Sequence, residues 1–107
     1  MRSKDKELVK GILQGEKRAL RKFNKEYRQR LLHFVLLKVD DPRDAEEIVQ
    51  DSLLSALYSL PSFLGQSSFW TWICAIARHE IGDYYRKKKI KEIFFSRLPW
   101  IESLVSE

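Results

Sequence analysis

Residues 67–89 read SSFWTWICAIARHEIGDYYRKKK. Ser67 or Ser68 can cap a helix, and Phe69, Trp72, Ile73, Ile76 and Ala77 then recur at three- and four-residue steps. No proline interrupts the run, so it predicts one amphipathic helix whose buried side extends to Ile81 and Tyr84. Trp70 and Trp72, two apart, point in different directions on such a helix, which predicts one indole at the surface. The helix ends in a basic run. Aromatics that stack on bases, followed by cations that hold phosphates, suit single-stranded or melting DNA.

Upstream, the pattern stays helical and β-type alternation is absent. Leu8, Val9, Ile12 and Leu13 predict a short first helix stopped near Gly15. Leu20, Phe23, Tyr27, Leu31 and Phe34 predict a long second helix reaching about Val39. Asp41 and Pro42 open a third, with an aspartate cap, proline at the first helical position and acids in the first turn. Its apolar seam is Ala45, Ile48, Val49, Ser52, Leu53, Ala56, Leu57 and Leu60. Pro61 and Gly65 break the chain into a loop before the fourth helix. The fold expected is all-α, a compact four-helix domain over residues 1–89. Residues 90–107 are expected as a linker or tail, too apolar to hang free, that forms a short helix against a neighbour in the same or a second chain.

With 107 residues the chain is one domain. Its 44% hydrophobic content excludes a disordered tail, and no apolar run approaches the roughly 20 residues that span a bilayer. The first ten residues, MRSKDKELVK, lack the apolar core of a signal peptide, and Cys74, the single cysteine, has no internal disulfide partner. These features predict a cytoplasmic protein without membrane insertion. The net charge of +5 is unevenly spread. Residues 1–40 hold twelve Lys/Arg against five Asp/Glu, residues 41–60 one against five, and residues 78–91 six against two. An acidic helix between two basic segments suits two different partners better than one polyanion.

The third helix carries Glu47, Gln50, Asp51, Leu54 and Tyr58 opposite its apolar seam. A leucine and a tyrosine rimmed by acids fit a protein-docking stripe. The same pattern also fits a solvated acidic face with two surface apolars. On the fourth helix, Thr71, Ala75, Arg78, Gly82 and Arg86 share one side, with His79 and Asp83 beside them. Small residues there admit a nucleic-acid backbone while the arginines reach phosphates. Gly82, which costs a helix about 1 kcal/mol relative to alanine, could instead relieve crowding against another helix. No catalytic, metal or cofactor constellation is present. His33 lies in an apolar helix as a rim or satisfied histidine, His79 has no ligand partner at metal spacing, and GQSS (65–68) lacks the lysine of a nucleotide-binding loop. An enzyme is not expected.

The run DAEEIVQDSLLSAL (44–57), followed by FLGQSSFWTWICAIARHEIGDYYRKKK (63–89), resembles region 2 of bacterial sigma factors of the extracytoplasmic-function group. The preceding FNKEYRQRLLHFVLLKVDDPRDAEE is similar to the first part of that region, so the resemblance covers roughly residues 8–89. It implies that Glu47, Gln50, Asp51, Leu54 and Tyr58 dock on the clamp helices of the largest subunit of core RNA polymerase. It further implies that the loop from Phe63 through Gln66, Ser67 and Ser68 captures a flipped non-template base of the promoter −10 element. Trp70, Arg78, His79, Arg86, Lys87 and Lys88 would hold duplex edge and melted strand, and Trp72 would be chiefly structural. An anti-sigma factor is a further partner such a protein can have.

The chain departs from the family pattern in three places. His79 stands where many members have asparagine, which puts promoter preference in question. Cys74 and Ala75 replace a frequent aromatic–arginine pair, removing one phosphate contact. Nothing in residues 90–107, IKEIFFSRLPWIESLVSE, resembles the second helix-turn-helix domain, region 4, that normally follows. That leaves either a piece of a longer protein or a product that works without −35 recognition. Two other classes stay open. One is a helix-turn-helix regulator of duplex DNA, which leaves the stripe at 47–58 without a role. The other is a protein-binding module without DNA contact, for which the arginines would be dispensable.

Overall fold

The structure, a computed structural model, describes residues 2–106 and consists of four α-helices. These are α1 (Ser3–Leu13), α2 (Lys17–Leu36), α3 (Pro42–Ser59) and α4 (Phe69–Ser106), with one 3₁₀ turn (Leu60–Ser62) after α3. Boundaries follow local chemistry. Gly15 turns the first connection with φ of 76°, a conformation open to glycine and strained for other residues. Asp41 caps α3 by accepting a hydrogen bond from the Arg43 amide at 2.9 Å, with Pro42 at the first helical position. Ser68 caps α4, its hydroxyl accepting from the Thr71 amide at 3.1 Å.

The α2 stripe differs slightly from the expected one. Ala19, Phe23, Tyr27, Leu31 and Val35 are buried, whereas Leu20 lies outward at the start of the helix, 37% exposed. These buried residues meet Ala45, Ile48, Val49, Leu53 and Ala56 of α3 and Phe69, Ile73 and Ala77 of α4 in one core cluster. Ser52 is fully enclosed within the α3 seam and is tolerated because its hydroxyl donates to the Ile48 carbonyl at 2.6 Å. At the base of α4, Phe69 touches Phe23, Tyr27, Phe63 and Trp72 with ring centroids 5.3–5.9 Å apart.

The C-terminal segment is not a separate short helix. α4 runs unbroken through residue 90 for 38 residues, with Pro99 inside it. No residue after Tyr84 joins the core cluster, and Ile90, Ile93, Phe94, Phe95, Trp100, Leu104 and Val105 are exposed. The molecule therefore extends 64 Å along its principal axis against 28 and 24 Å in the other directions. The apolar residues there follow helical spacing, as expected, but within the described chain nothing meets that face. Among the described residues, no helix is long and apolar enough to cross a membrane.

A polar clasp joins α3 to the middle of α4. Asp44, an acid in the first turn of α3, is nearly buried: it accepts the Tyr84 hydroxyl at one oxygen and Lys88 Nζ, at 3.1 Å, at the other. The Tyr84 hydrogen bond, with help from Lys88, holds the Asp44 carboxyl below its ordinary range against a smaller opposing effect of desolvation. The same bond pushes the Tyr84 phenol up. A carboxyl whose proton affinity is depressed by folding leaves the unfolded chain binding more protons. Its stabilisation is therefore present above the ordinary carboxylate range and lost as pH falls through the folded value. We expect Asp44→Asn, which keeps shape but not charge, to be the less stable protein at pH 7 and to converge on the wild type below about pH 4. Urea unfolding across a pH series measures this; parallel curves at all pH values would show that the charge is irrelevant.

Candidate protein and nucleic-acid interfaces

The α3 stripe is a solvent face. Glu47, Gln50, Asp51, Leu54 and Tyr58 are all exposed, Leu54 at 55% and Tyr58 at 92%. The seam on the other side of α3 fixes their direction, because Ile48, Val49, Ser52, Leu53 and Ala56 are consumed by the core. Arg28 of α2 lies along one edge, donating to Gln50 Oε1 at 3.1 Å and standing 3.7 Å from Glu46 Oε2. The other edge opens on a cleft between α3 and α4 lined by Glu47, Asp51, Glu80, Asp83, Lys87 and Lys91. Leu54 and Tyr58 thus stand exposed beside the carboxylates of Glu47 and Asp51.

The α4 row is equally exposed. Thr71, Ala75, Arg78, Gly82 and Arg86 all face solvent, and His79 lies next to them. Asp83 organises the row, standing 3.3 Å from His79 Nε2 and 3.1 Å from Arg86 Nη1. A Cβ at Gly82 would meet nothing within 4 Å, so relief of crowding does not explain this glycine. We expect Gly82→Ala to stabilise the isolated chain by about 1 kcal/mol, the helix propensity difference. For a domain of this size that is roughly 4–8 °C in thermal midpoint. A lower midpoint would reveal a clash that the open surface does not show.

The basic run does not act as one unit. Lys88 is held by Asp44, and Lys87 lines the acidic cleft with Glu47 and Asp51, so both turn towards α3. Lys89 continues the 71–75–78–82–86 spacing and is absent from the expected set, although the four- and three-residue steps name it once the row is traced. The linear sequence offers four consecutive cations. The helix divides them between faces.

The loop ahead of α4 forms a shallow concavity of about 250 Å³ lined by Ser62, Phe63, Leu64, Gln66, Ser67 and Trp72. Phe63 is half-buried and packs on Trp72 at 4.8 Å between ring centroids, so it is a wall of the depression. Gly65, with φ of 72°, turns the chain so that Gln66 and Ser68 face solvent. Flat aromatic walls with amide and hydroxyl groups at the rim can receive a planar, hydrogen-bonding ligand.

Trp70 departs from expectation. Both indoles are half-buried, and neither is free. The Arg30 guanidinium of α2 lies over the Trp70 ring, 4.2 Å from its centroid, while Tyr27 stacks at 6.2 Å and Phe34 meets it edge-on at 6.3 Å. The indole face expected to stack on bases carries an arginine instead. Among the described residues no group of three His, Cys, Asp or Glu gathers as a metal site.

Residues 23–90 match the family model described as Sigma-70 region 2. The chain belongs to that family. A probable RNA polymerase sigma factor of Haemophilus influenzae is 43% identical over 63 residues, 59% of this chain and 32% of that protein. The probable RNA polymerase sigma-C factor of Mycobacterium bovis is 37% identical over 79 residues, 74% of this chain and 42% of its own. The ECF RNA polymerase sigma factor SigX of Bacillus subtilis is 33% identical over 75 residues, 69% of this chain and 39% of that protein. The chain thus spans well under half the length of these curated relatives. No solved structure matches it. The expected family and the all-α helical fold are both borne out.

Proposed function

We propose that this region-2 domain serves transcription initiation by docking on core RNA polymerase through α3 and capturing the non-template strand of a −10 promoter element through the loop and α4. The observation that carries the proposal is the separation of two exposed surfaces with opposite chemistry. One is an acidic stripe with Leu54 and Tyr58 as anchors; the other combines an aromatic-walled depression with a row of small and basic residues. The names of the relatives, all RNA polymerase sigma factors, support the same reading.

In this reading Glu47, Gln50, Asp51, Leu54 and Tyr58 contact the clamp helices of the largest polymerase subunit. Phe63, Gln66, Ser67 and Ser68 receive one extruded base, and Arg78, His79 and Arg86 hold the strand and duplex edge. Extruding a base costs a few kcal/mol, which pocket contacts and phosphate contacts must offset. Lys87 and Lys88 contribute through long-range positive potential, since their ammonium groups lie towards the α3 side. The test is binding of the chain and its variants to core RNA polymerase, with binding to a single-stranded −10 library measured separately. Gln50→Ala with Asp51→Ala should weaken only the first, and Arg78→Ala with Arg86→Ala only the second. Parallel loss in both assays by both pairs would show that the two surfaces are not functionally distinct.

A further inference from the structure

The arginine over Trp70 belongs to a larger arrangement along the groove between α2 and α4. Arg30 lies 4.2 Å from the Trp70 ring centroid and 5.6 Å from that of Tyr27. Phe34, edge-on to Trp70, carries Arg78 at 5.4 Å and Lys38 at 5.3 Å. Three cations from two helices and the turn after α2 thus sit above one continuous aromatic floor of Tyr27, Trp70 and Phe34. None of the three is among the ion pairs formed by the described residues, whose Lys and Arg members are Lys4, Arg28, Arg86 and Lys88.

Arg30, Lys38 and Arg78 repel one another, and the ring faces, with Asp5 and Glu26 in the concavity beside Arg30, offset only part of that cost. A guanidinium held over a ring keeps N–H donors for a further partner, and its fork matches the two oxygens of a phosphate. The arrangement is pre-set for anions arriving in series. From Arg30 to Lys38 the chain rises by roughly 12 Å, room for more than one phosphate.

Its position identifies the polyanion. Ser67 lines the loop depression, and the next residue, Ser68, lines a second concavity with Arg30, Tyr27, Trp70, Arg2 and Lys4, where the carboxylates of Asp5 and Glu26 also stand, Glu26 paired with Lys4. A strand whose base enters the first depression reaches the second across one residue. Arg78 belongs both to this patch and to the α4 row. We propose that Arg30 and Lys38, with Arg78, form a sequence-independent phosphate track that holds the single strand beside the base-capturing loop. The inference rests on the nucleic-acid reading of the loop and α4, and adds α2 to that interface. It also accounts for Trp70 and Phe34: they act as the platform for the cations, and the bases stack elsewhere.

The experiment uses two fluorescein-labelled twelve-nucleotide single strands, a −10-type sequence and oligothymidylate, titrated with the chain at several salt concentrations. Each phosphate that a protein neutralises on a single strand adds about 0.7 to the steepness of log K against log salt. Arg30→Ala/Lys38→Ala should therefore flatten the slope by about 1.4 and weaken both oligonucleotides alike, roughly 25-fold at 0.1 M salt. Arg30→Lys should recover most of the slope that Arg30→Ala gives up. Circular dichroism confirms that the variants remain folded.

An unchanged slope in folded Arg30→Ala/Lys38→Ala, with base preference intact in the wild type, overturns the track and leaves the loop reading standing. Equal weakening on both strands, with Gln66→Ala leaving base preference untouched, supports the track and sinks the loop reading. If the wild type binds neither strand, both fall. If the double variant instead fails to bind core polymerase and keeps both strands, the patch faces protein and the track is wrong.

Discussion

Phe69→Ala is expected to destabilise the domain by about 3–5 kcal/mol, the largest effect of any single truncation we foresee. Phe69 is 1% exposed and is the common neighbour of Phe23 and Tyr27 from α2, Phe63 from the loop and Trp72 from α4 itself. Truncation removes the transfer free energy of a ring and leaves a void bounded by four stiff aromatics that cannot collapse into it. Small domains have about 5–15 kcal/mol of stability in total, so the variant should be largely unfolded at moderate urea. Urea denaturation gives the result directly, with Phe69→Leu as the milder companion. A loss below about 1 kcal/mol would mean that the aromatic cluster does not organise the core. Because Phe63 and Trp72 form the loop depression, this variant should also lose base preference before it loses helix content.

Much of this is legible in the sequence because it is local. The Asp41 cap, Pro42, the Ser68 cap and the α3 seam all follow from groups within four residues of one another. So does the direction of the exposed stripe, since burying Ile48, Val49 and Leu53 turns Glu47, Gln50 and Leu54 outward. What is not legible depends on groups distant in the chain. Asp44 reads as a helix-dipole acid, yet its partners Tyr84 and Lys88 are 40 and 44 residues away. Trp70 reads as a surface platform because nothing in its own helix reveals that Arg30 will cover it. The division of residues 86–89 between faces depends on where Asp44 sits. The tail departs from expectation for another reason. Its apolar periodicity states that a face exists, but not what covers it, and α4 continues through that face with Pro99 inside it.

Leu54→Asp should weaken binding to core RNA polymerase by about 100-fold or more while leaving the fold unchanged. Interface energy concentrates in a few anchors at the centre of the contact, where truncation costs about 2 kcal/mol and upward, and each 1.4 kcal/mol is roughly tenfold in affinity. A carboxylate placed where the anchor must desolvate adds a further penalty, and among Glu47 and Asp51 it also meets like charge. Tyr58→Ala should follow at about tenfold or more, since an aromatic 92% exposed in the free chain has much area to bury on docking. Gln50→Ala should be the mildest, because its amide oxygen is already satisfied by Arg28 and docking must exchange that bond for another. The predicted order, Leu54→Asp beyond Tyr58→Ala beyond Gln50→Ala, is more demanding than any single loss. A solvated acidic face would show no order at all. Thermal midpoints should stay within a few degrees of the wild type, since none of these side chains belongs to the core cluster. Undiminished polymerase affinity in folded Leu54→Asp would move the docking surface off α3 and leave its exposed leucine and tyrosine without a function.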